Sequence, residues 1–249
     1  MAAPRQPRPT PGPSALPPIV RRLSDAVDRL SFSPPAAFVY NPLAYARAPL
    51  EQYLARWGSG GREIVLVGMN PGPFGMMQTG VPFGEIGLVR DWLGIEGEVG
   101  RPPAEHPKRP VQGFACARSE VSGARLWGWA RDRFGTPERF FARFFVWNWC
   151  PLGFLAASGA NVTPDKLARD ERQALEAVCD AALAEMIAAL RPQRVMGVGQ
   201  VALAAVRRAI GESVPSALLP HPSPASPAAN RGWSALADRA FVDAGVLIP

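Results

Sequence analysis

Two side chains that could take part in a hydrolysis stand in loops that follow apolar runs. Asn70 lies in the segment 68–85, which holds five glycines and three prolines and follows the run Glu63–Gly68. In the first turn of that loop it is the only side chain that could hold and orient a water molecule, although an asparagine that caps a turn is an equally good interpretation. His221 opens the loop 221–233 after another apolar run. A lone histidine is more often structural, but a place beyond a strand favours function.

Three further side chains could contact a planar ring. Phe74 and Phe83 belong to the same glycine-rich loop and offer faces on which such a ring could stack. Asn148 ends the apolar run Phe144–Asn148, and its amide could pair with the edge of a base. A local turn bond explains Asn148 slightly better when that residue is considered alone.

Composition and charge are compatible with a polyanionic partner. The 249 residues are 47% hydrophobic, carry a formal net charge of +6 and have a pI of about 9.9. Of the 27 basic residues, only Lys108 and Lys166 are lysines. Arginine has a planar fork that suits phosphate oxygens, but GC-rich coding explains at least half of the arginine excess. Charge alone therefore supports nucleic acid only weakly.

The sequence gives no support for a metal, a redox cofactor, a disulfide framework or a membrane span. Cys116, Cys150 and Cys179 are far apart and odd in number, which is typical of a reducing compartment. His106 and His221 are the two histidines, and no Cys or His pair has zinc-ligand spacing. No apolar run is long enough to cross a bilayer, and the first residues lack the apolar stretch of a secretory signal. We expect no metal and no cofactor.

The chain is expected to form one α/β domain after a short tail. Residues 1–18 contain seven prolines and are predicted to be a disordered tail, and residues 19–249 a single domain. Strands that alternate with helices form a parallel sheet, and ligands bind beyond the carboxyl ends of its strands. The predicted strands are Glu63–Gly68, Phe144–Asn148, Arg194–Val198 and Ser216–Leu219, and the predicted helices are 19–30, 42–57, 163–190, 200–209 and 230–244.

The segment Gly197–Ala202 is similar to a dinucleotide-binding fingerprint, because its glycines follow a strand and open a helix. That fingerprint requires an acidic residue at the end of the next strand, but this strand ends in Leu219, Pro220 and His221. We interpret the glycines as tight packing of a helix on a strand, with backbone amides that could face a phosphate.

Two rival functions follow from these features. The first hypothesis, a nucleotide-cofactor enzyme, is based on the segment Gly197–Ala202, and nicotinamide or flavin binding by the purified protein would support it. The second hypothesis, a noncatalytic module that binds single-stranded nucleic acid, is based on the basic charge and the seven tryptophans. It predicts that the protein binds nucleic acid without releasing a base. Trp127, Trp129 and Trp147 sit in apolar stretches, however, which is typical of core residues.

Several motifs in a fixed order resemble the single-strand-selective monofunctional uracil-DNA glycosylases. Two of them, Gly-Met-Asn-Pro-Gly-Pro-Phe-Gly-Met with Gln-Thr-Gly-Val-Pro-Phe-Gly-Glu at 68–85 and His-Pro-Ser-Pro at 221–224, resemble the active-site motifs of that family. The likeness extends to the segments 105–110, 119–125 and 148–152 and covers roughly residues 35 to 245. It implies the three-layer α/β fold of uracil-DNA glycosylases, in which helices flank a small, mostly parallel four-stranded sheet.

The resemblance also implies an activity and a set of site residues. Such an enzyme flips uracil or a C5-oxidised uracil out of DNA, hydrolyses its N-glycosidic bond and leaves an abasic site. Asn70 matches the family's water-positioning asparagine, and His221 matches the histidine that contacts the base near O2. Phe83 matches the aromatic that stacks on the base, Asn148 the asparagine that reads its edge, and Gly72 a glycine that leaves room beside C5. The expected catalytic residues are Asn70 and His221, and the expected substrate-binding residues are Met69, Gly72, Phe74, Met76, Phe83 and Asn148.

The loop after His221 is expected to contact DNA. Ala225 stands where the family often carries an arginine that wedges into the DNA stack, so we expect a weaker preference for paired DNA than in relatives with that arginine. The expected partner is single- or double-stranded DNA that contains uracil, and a monomer is expected. The composition suggests a bacterial cytoplasmic, nucleoid-associated protein, and a eukaryotic source would instead imply the nucleus. The expected DNA-binding residues are Ser223, Pro224, Ala225, Ser226 and Arg231.

Overall fold

The computed structural model describes residues 14–249. The helices in this part of the chain are α1 Leu16–Val27, α2 Pro42–Tyr45, α3 Arg47–Trp57, α4 Met76–Thr79, α5 Ile86–Asp91, α6 Val121–Phe134, α7 Pro137–Phe141, α8 Arg169–Leu190, α9 Gln200–Ile210, α10 Pro227–Asn230 and α11 Trp233–Asp243. The strands are β1 Phe38–Tyr40, β2 Ile64–Gly68, β3 Phe144–Asn148, β4 Gly153–Leu155, β5 Asn161–Val162, β6 Arg194–Val198 and β7 Ser216–Leu219.

The central sheet has the strand order β3-β2-β6-β7, and all of its neighbouring strands are parallel. Its register pairs Gly68 with Asn148 and Val67 with Gly197, so the carboxyl ends of the strands lie side by side. β2 and β3 are buried along their whole length, as expected for a parallel sheet covered by helices. The four strands predicted from apolar runs are confirmed, and so is the α/β fold with a four-stranded sheet between helices.

An aromatic cluster joins the helices that precede β3 to the last helix. The rings of Trp129 and Phe241 stack with centroids 5.0 Å apart, and Phe140 stacks on Phe144 at the same distance. Trp127 lies edge-on to Phe140, with the centroids 5.8 Å apart. These side chains are buried, which confirms the prediction that the tryptophans in apolar stretches belong to the core.

A second, antiparallel sheet with the order β1-β4-β5 was not predicted. Its strands are only two or three residues long, too short for an alternating pattern to stand out in the sequence. Val39 pairs with Phe154, and Phe154 pairs in turn with Val162. The sheet brings the segment after β3 and the segment before α8 to the same end of the molecule as the glycine-rich loop.

The predicted helix 42–57 is wrong as a single element, because the chain forms α2 and α3 with a break at Ala46. Pro49 has no N–H to donate to the carbonyl of Tyr45, and its ring would clash with that carbonyl in a continuous helix. The Tyr45 carbonyl instead accepts a hydrogen bond from Gly100 N–H at 2.8 Å.

Three other predicted boundaries also need correction. The first helix begins at Leu16 with prolines in its first turn, so the end of the predicted tail, residues 16–18, is helical. The tail's remaining segment 1–13 lies outside the described residues. The helix predicted from Thr163 begins only at Arg169, because Leu167 and Ala168 are extended and Pro164–Lys166 forms a separate 3-10 turn. The last helix, predicted from Asn230, begins only at Trp233, because Gly232, whose φ of 142° is not helical, separates α11 from α10.

Candidate active site

Beyond the carboxyl ends of the parallel strands, the loops after β2 and β7, together with Asn148 at the end of β3, line a cavity of about 470 Å³. Backbone hydrogen bonds join these loops beyond the strands, from Trp149 N–H to Gly68 O at 2.9 Å and from Gly199 N–H to Leu219 O at 2.8 Å. The cavity therefore lies where the fold predicts a ligand. Its walls are Met69, Asn70, Pro71, Gly72, Pro73, Phe74, Phe83, Arg118, Ser119, Glu120, Val121, Ser122, Asn148, Asn161, Thr163, His221, Ser223 and Pro224.

His221 presents a neutral imidazole to the cavity. Its Nδ1 accepts a hydrogen bond from the backbone N–H of Ser223 at 3.0 Å, and since that N–H can only donate, the ring proton is on Nε2. Burial lowers the pKa of His221 below its usual value, so the neutral ring is favoured at neutral pH. The imidazole is thus a fixed hydrogen-bond donor without a positive charge.

The backbone around His221 is held on two sides. Gly199 has a φ of 87°, and a methyl group there would approach the Cβ and Cδ2 of His221 to 3.3 Å. Gly197 lies against α9, where a methyl group would approach the Cβ of Leu203 to 2.7 Å. The prediction of helix–strand packing is confirmed for Gly197, whereas Gly199 lies against His221 rather than against α9. On the other side of His221, Trp233 Nε1 donates to Pro220 O at 2.7 Å.

Asn70 lines the same cavity as His221. Its Nδ2 lies 3.5 Å from the carbonyls of Pro71 and Leu152, at the outer limit of a hydrogen bond. Neither contact uses Oδ1, so the amide oxygen is available as an acceptor for a water proton. Asn70 and His221, the two side chains predicted to take part in hydrolysis, therefore line the same cavity.

Phe83 forms a buried wall of the cavity in an unusual backbone conformation. Its φ is 52°, in the left-handed region that a bulky residue seldom adopts. Two close contacts hold it there: its ring lies against Gly68, and its carbonyl lies against Gly123 of α6. The ring centroid is 6.4 Å from that of His221, at an angle of 43°. Backbone strain of this kind is concentrated at functional sites.

Asn148 ends β3 with its amide beside the cavity. Nδ2 donates to the thioether sulfur of Met76 at 3.3 Å, and Oδ1 lies close to Gly68. A thioether is a weak acceptor, so a carbonyl oxygen of a ligand would compete well for this N–H. Met76 itself does not line the cavity but lies behind Asn148, which makes its expected contact with substrate indirect.

Phe74 is partly exposed at the rim of the cavity. The guanidinium of Arg118 lies 3.9 Å from the centroid of its ring, and that of Arg109 lies 5.2 Å away. A face of Phe74 is therefore already covered by an arginine, so Phe83 is the better platform for a ligand ring.

The predicted DNA-binding residues divide into two groups. Ser223 and Pro224 line the mouth of the cavity, whereas Ala225, Ser226 and Arg231 do not. Ala225 and Arg231 are exposed. Ser226 caps α10, where its Oγ accepts from Ala229 N–H at 3.3 Å. The expected contact of Ala225, Ser226 and Arg231 with DNA therefore lies outside the cavity.

Sequence reasoning missed the wall formed by the start of α6. Residues 118–122 contribute Arg118, Ser119, Glu120, Val121 and Ser122 to the cavity, and β5 and its following residue contribute Asn161 and Thr163. The segment 119–125 resembles the family, but a glutamate followed by small residues has no chemical signal of its own. Among residues 14–249, no group of three or more His, Cys, Asp or Glu side chains is placed to hold a metal ion.

Comparison with known proteins is consistent with this geometry. The family model of the uracil DNA glycosylase superfamily matches residues 56–243. The single-strand selective monofunctional uracil DNA glycosylase of Bos taurus is 50% identical over 229 residues, which cover 91% of this chain and 84% of the bovine protein. Its Rattus norvegicus counterpart is 49% identical over the same share of this chain and 82% of its own length.

A solved structure has the same fold. The crystal structure of wild-type Pedobacter heparinus SMUG2 superposes with a TM-score of 0.63 at 18% identity and covers 91% of this chain and 96% of its own. With a family model that covers most of the chain and relatives at about half identity, the protein belongs to the single-strand selective monofunctional uracil DNA glycosylases of the uracil DNA glycosylase superfamily.

Proposed function

We propose that this protein is a monofunctional DNA glycosylase that hydrolyses the N-glycosidic bond of uracil in DNA. The observation that carries the proposal is the shared cavity of Asn70 and His221, with a neutral imidazole as donor on one wall and an amide acceptor on another. The target bond is unreachable inside a duplex, so the base must be flipped into the cavity or already unpaired.

His221 stabilises the departing base. When the bond between C1′ and N1 breaks, its electron pair stays on N1 and the negative charge spreads to O2. The Nε2–H of a neutral imidazole donates to that oxygen, in a site where burial strengthens the interaction. Because the ring is already oriented by Ser223 N–H, it needs no reorganisation during the reaction.

Asn70 orients the water that attacks the sugar. The transition state places positive charge on the deoxyribose, so the attacking water needs position more than a strong base. The oxygen of water bonds to C1′, and the proton that the water releases neutralises the base anion by way of solvent, which leaves a free base and an abasic site. In the segments 68–85 and 221–233 there is no lysine that could form a Schiff base, which fits hydrolysis without a covalent intermediate.

Asn148 and Phe83 select the base. The Asn148 amide accepts from uracil N3–H and donates to O4, in place of its contact with Met76. Cytosine has no proton on N3 and carries an amino group at C4, so both partners would be mismatched in a buried site. Phe83 supplies the stacking face.

The proposal extends to the substrates, the oligomeric state, the domain and the DNA contacts. The substrates include C5-oxidised uracils in single- and double-stranded DNA, the protein acts as a monomer, and residues 19–249 form one domain. Ser223, Pro224, Ala225, Ser226 and Arg231 contact the DNA beside the flipped base. Within the described residues no helix is both long and apolar enough to cross a membrane. The compartment is the one that holds the DNA: the nucleoid in a bacterium, the nucleus in a eukaryote.

Base release from a single-stranded uracil oligonucleotide, followed by alkali to cleave abasic sites, tests the proposal. We expect strand cleavage with the native protein. For His221→Ala and Asn70→Ala we expect single-turnover rates lower by about 10² to 10³, because each removes one preorganised group.

His106→Gln is the matched control. The His106 ring makes the same local bond, from Lys108 N–H to Nδ1 at 3.0 Å, but lies outside the cavity. The single-turnover rate of His106→Gln should stay near the native value at a temperature where circular dichroism shows that the variant is folded. Native protein that binds the oligonucleotide without releasing a base would reject the proposal in favour of a noncatalytic binding module.

A further inference from the structure

A carboxyl group that the mechanism above does not use lies in the wall of the cavity. Glu120 immediately precedes α6, and its side chain packs on the glycine-rich loop after β2. A methyl group at Gly72 would lie 2.6 Å from the carboxyl carbon, and one at Gly75 would lie 2.7 Å from it. The room that Gly72 leaves is therefore occupied by the Glu120 carboxyl.

One oxygen of this carboxyl group lacks a hydrogen-bond partner within the described residues. Its Oε2 is buried and has no hydrogen-bond partner among residues 14–249. No ion pair in that part of the chain includes Glu120, and the nearby Arg118 is stacked on Phe74. Buried polar atoms normally have a partner, and one that lacks it beside a ligand cavity points to the ligand.

The protonation state of Glu120 follows from its surroundings. Burial, and to a smaller extent the carboxylate of Glu85, raises the pKa of Glu120 to about 7. At neutral pH a large fraction of the molecules thus carries a protonated carboxyl, which has one O–H donor as well as acceptors. A neutral acid in the cavity wall can hydrogen-bond to an uncharged ligand.

We propose that Glu120 is the specificity residue for the C5 side of the base, and that it hydrogen-bonds to polar C5 substituents of oxidised uracils. The inference rests on the proposed function and on the family resemblance, which implies that Gly72 lies beside C5 of the flipped base. A hydroxymethyl group can both donate to and accept from the carboxyl. A formyl group can only accept, so it requires the protonated acid. A methyl group does neither and leaves the buried carboxyl without a partner, which disfavours thymine.

The test compares rates on single-stranded oligonucleotides that contain uracil, 5-hydroxymethyluracil, 5-formyluracil or thymine. The variants are Glu120→Leu, which keeps bulk without polarity, and Glu120→Gln, which keeps a donor and an acceptor but cannot ionise. The ratio of kcat/KM for 5-hydroxymethyluracil to that for uracil should fall at least about tenfold in Glu120→Leu and stay within about threefold in Glu120→Gln. The control is Glu138→Gln, at an exposed glutamate on α7.

The pH profile supplies a readout that a purely structural role would not change. For the native protein, the 5-formyluracil-to-uracil ratio should fall between pH 6 and pH 8 as the acid loses its proton. In Glu120→Gln the same ratio should stay flat, because the amide N–H donates at every pH. This comparison of native protein with Glu120→Gln tests the role of Glu120 even when Glu120→Leu fails to fold.

The outcomes separate this inference from the proposed function. Failure of the native protein to release uracil would contradict the proposed function itself. Release of uracil but not of 5-hydroxymethyluracil, equal losses on all substrates in Glu120→Leu, or identical pH profiles for native and Glu120→Gln would each overturn the role of Glu120 while leaving uracil removal intact.

Discussion

The two histidines of this chain make the same local hydrogen bond, yet only one of them lies in the cavity. In each case Nδ1 accepts from the backbone N–H two residues later, at 3.0 Å. The second nitrogen of His106 pairs with Ala157 O at 3.1 Å, within the protein. His221 instead lines the cavity, beside Phe83. A histidine whose local bond fixes the tautomer and whose other nitrogen faces a cavity is thus suited to donate to a ligand.

Burial of His221 predicts a pH dependence of stability. Since the pKa is lowered in the folded state, the unfolded chain takes up the proton first as the pH falls below about 6.5. The free energy of unfolding therefore decreases on acidification, by at most about 1.4 kcal/mol per pH unit, until the folded-state pKa is passed. Above the unfolded pKa the contribution is constant.

Denaturant unfolding of the native protein and of His221→Gln at pH 7.5 and pH 5.5 measures this effect. The native protein should lose stability relative to the variant at the lower pH. Glu120 titrates in both proteins and cancels in the difference. Parallel pH curves for the two proteins would contradict the assignment of a buried, neutral His221.

At the scale of the elements, α6 supports both ends of the active site. Because Gly123 on α6 has no side chain, the backbone carbonyl of Phe83 can pack against it. Arg125, two residues later on the same helix, contacts the loop after His221. Arg125 Nη1 donates to the carbonyls of Pro222 and Ser223 at 3.0 and 3.2 Å. Its Nη2 donates to Asn230 Oδ1 at 2.8 Å. A single helix thus sets the position of the Phe83 ring relative to the loop after His221.

Replacing this arginine should loosen the loop that carries His221. A lysine cannot reproduce the planar fork that serves three acceptors, so in Arg125→Lys we expect kcat on single-stranded uracil substrate to fall about ten- to hundredfold. Hydrogen exchange at Ser223 N–H should become faster in the same variant. The control is Arg131→Lys, an exposed residue of α6 that pairs with Asp132. Unaltered kcat and exchange would indicate that the loop holds its shape without Arg125.

The helices and strands show which elements a local sequence pattern can predict and which it cannot. Apolar runs correctly predicted the strands of the parallel sheet, because a fully buried strand of five residues has a continuous apolar signal. The break at Ala46 depends on where Pro49 falls relative to Tyr45. The two- and three-residue strands depend on partners far along the chain, such as Phe38 with Leu155.

The whole molecule combines a net charge of +6 with a cavity mouth that opens beside an exposed loop. Positive charge attracts the DNA backbone regardless of sequence, whereas in the proposed function the loop after His221 holds the flipped base out of the stack. Ala225 is exposed next to Pro224, which lines the mouth of the cavity. Its side chain is too short to fill the gap that a flipped base leaves in a duplex.

Ala225→Arg should therefore favour paired DNA. We expect the ratio of kcat/KM on duplex to that on single-stranded uracil substrate to rise about tenfold, because a longer side chain can occupy the vacated stack. Ala228→Arg adds the same charge at an exposed position in α10 and serves as the control. An equal gain in both variants would mean that charge alone is responsible, and no gain on duplex would reject the wedge hypothesis.

The sequence by itself determined the parallel sheet and the placement of Asn70, Asn148 and His221 at its carboxyl edge, because an apolar run followed by a turn is a local signal. Only the tertiary structure decided that Glu120 lies against Gly72 and that Arg125 holds a loop about a hundred residues away along the chain. The left-handed backbone of Phe83 likewise depends on contacts with Gly68 and α6. Such features arise from close packing between distant segments, and no local pattern encodes which distant residues will meet.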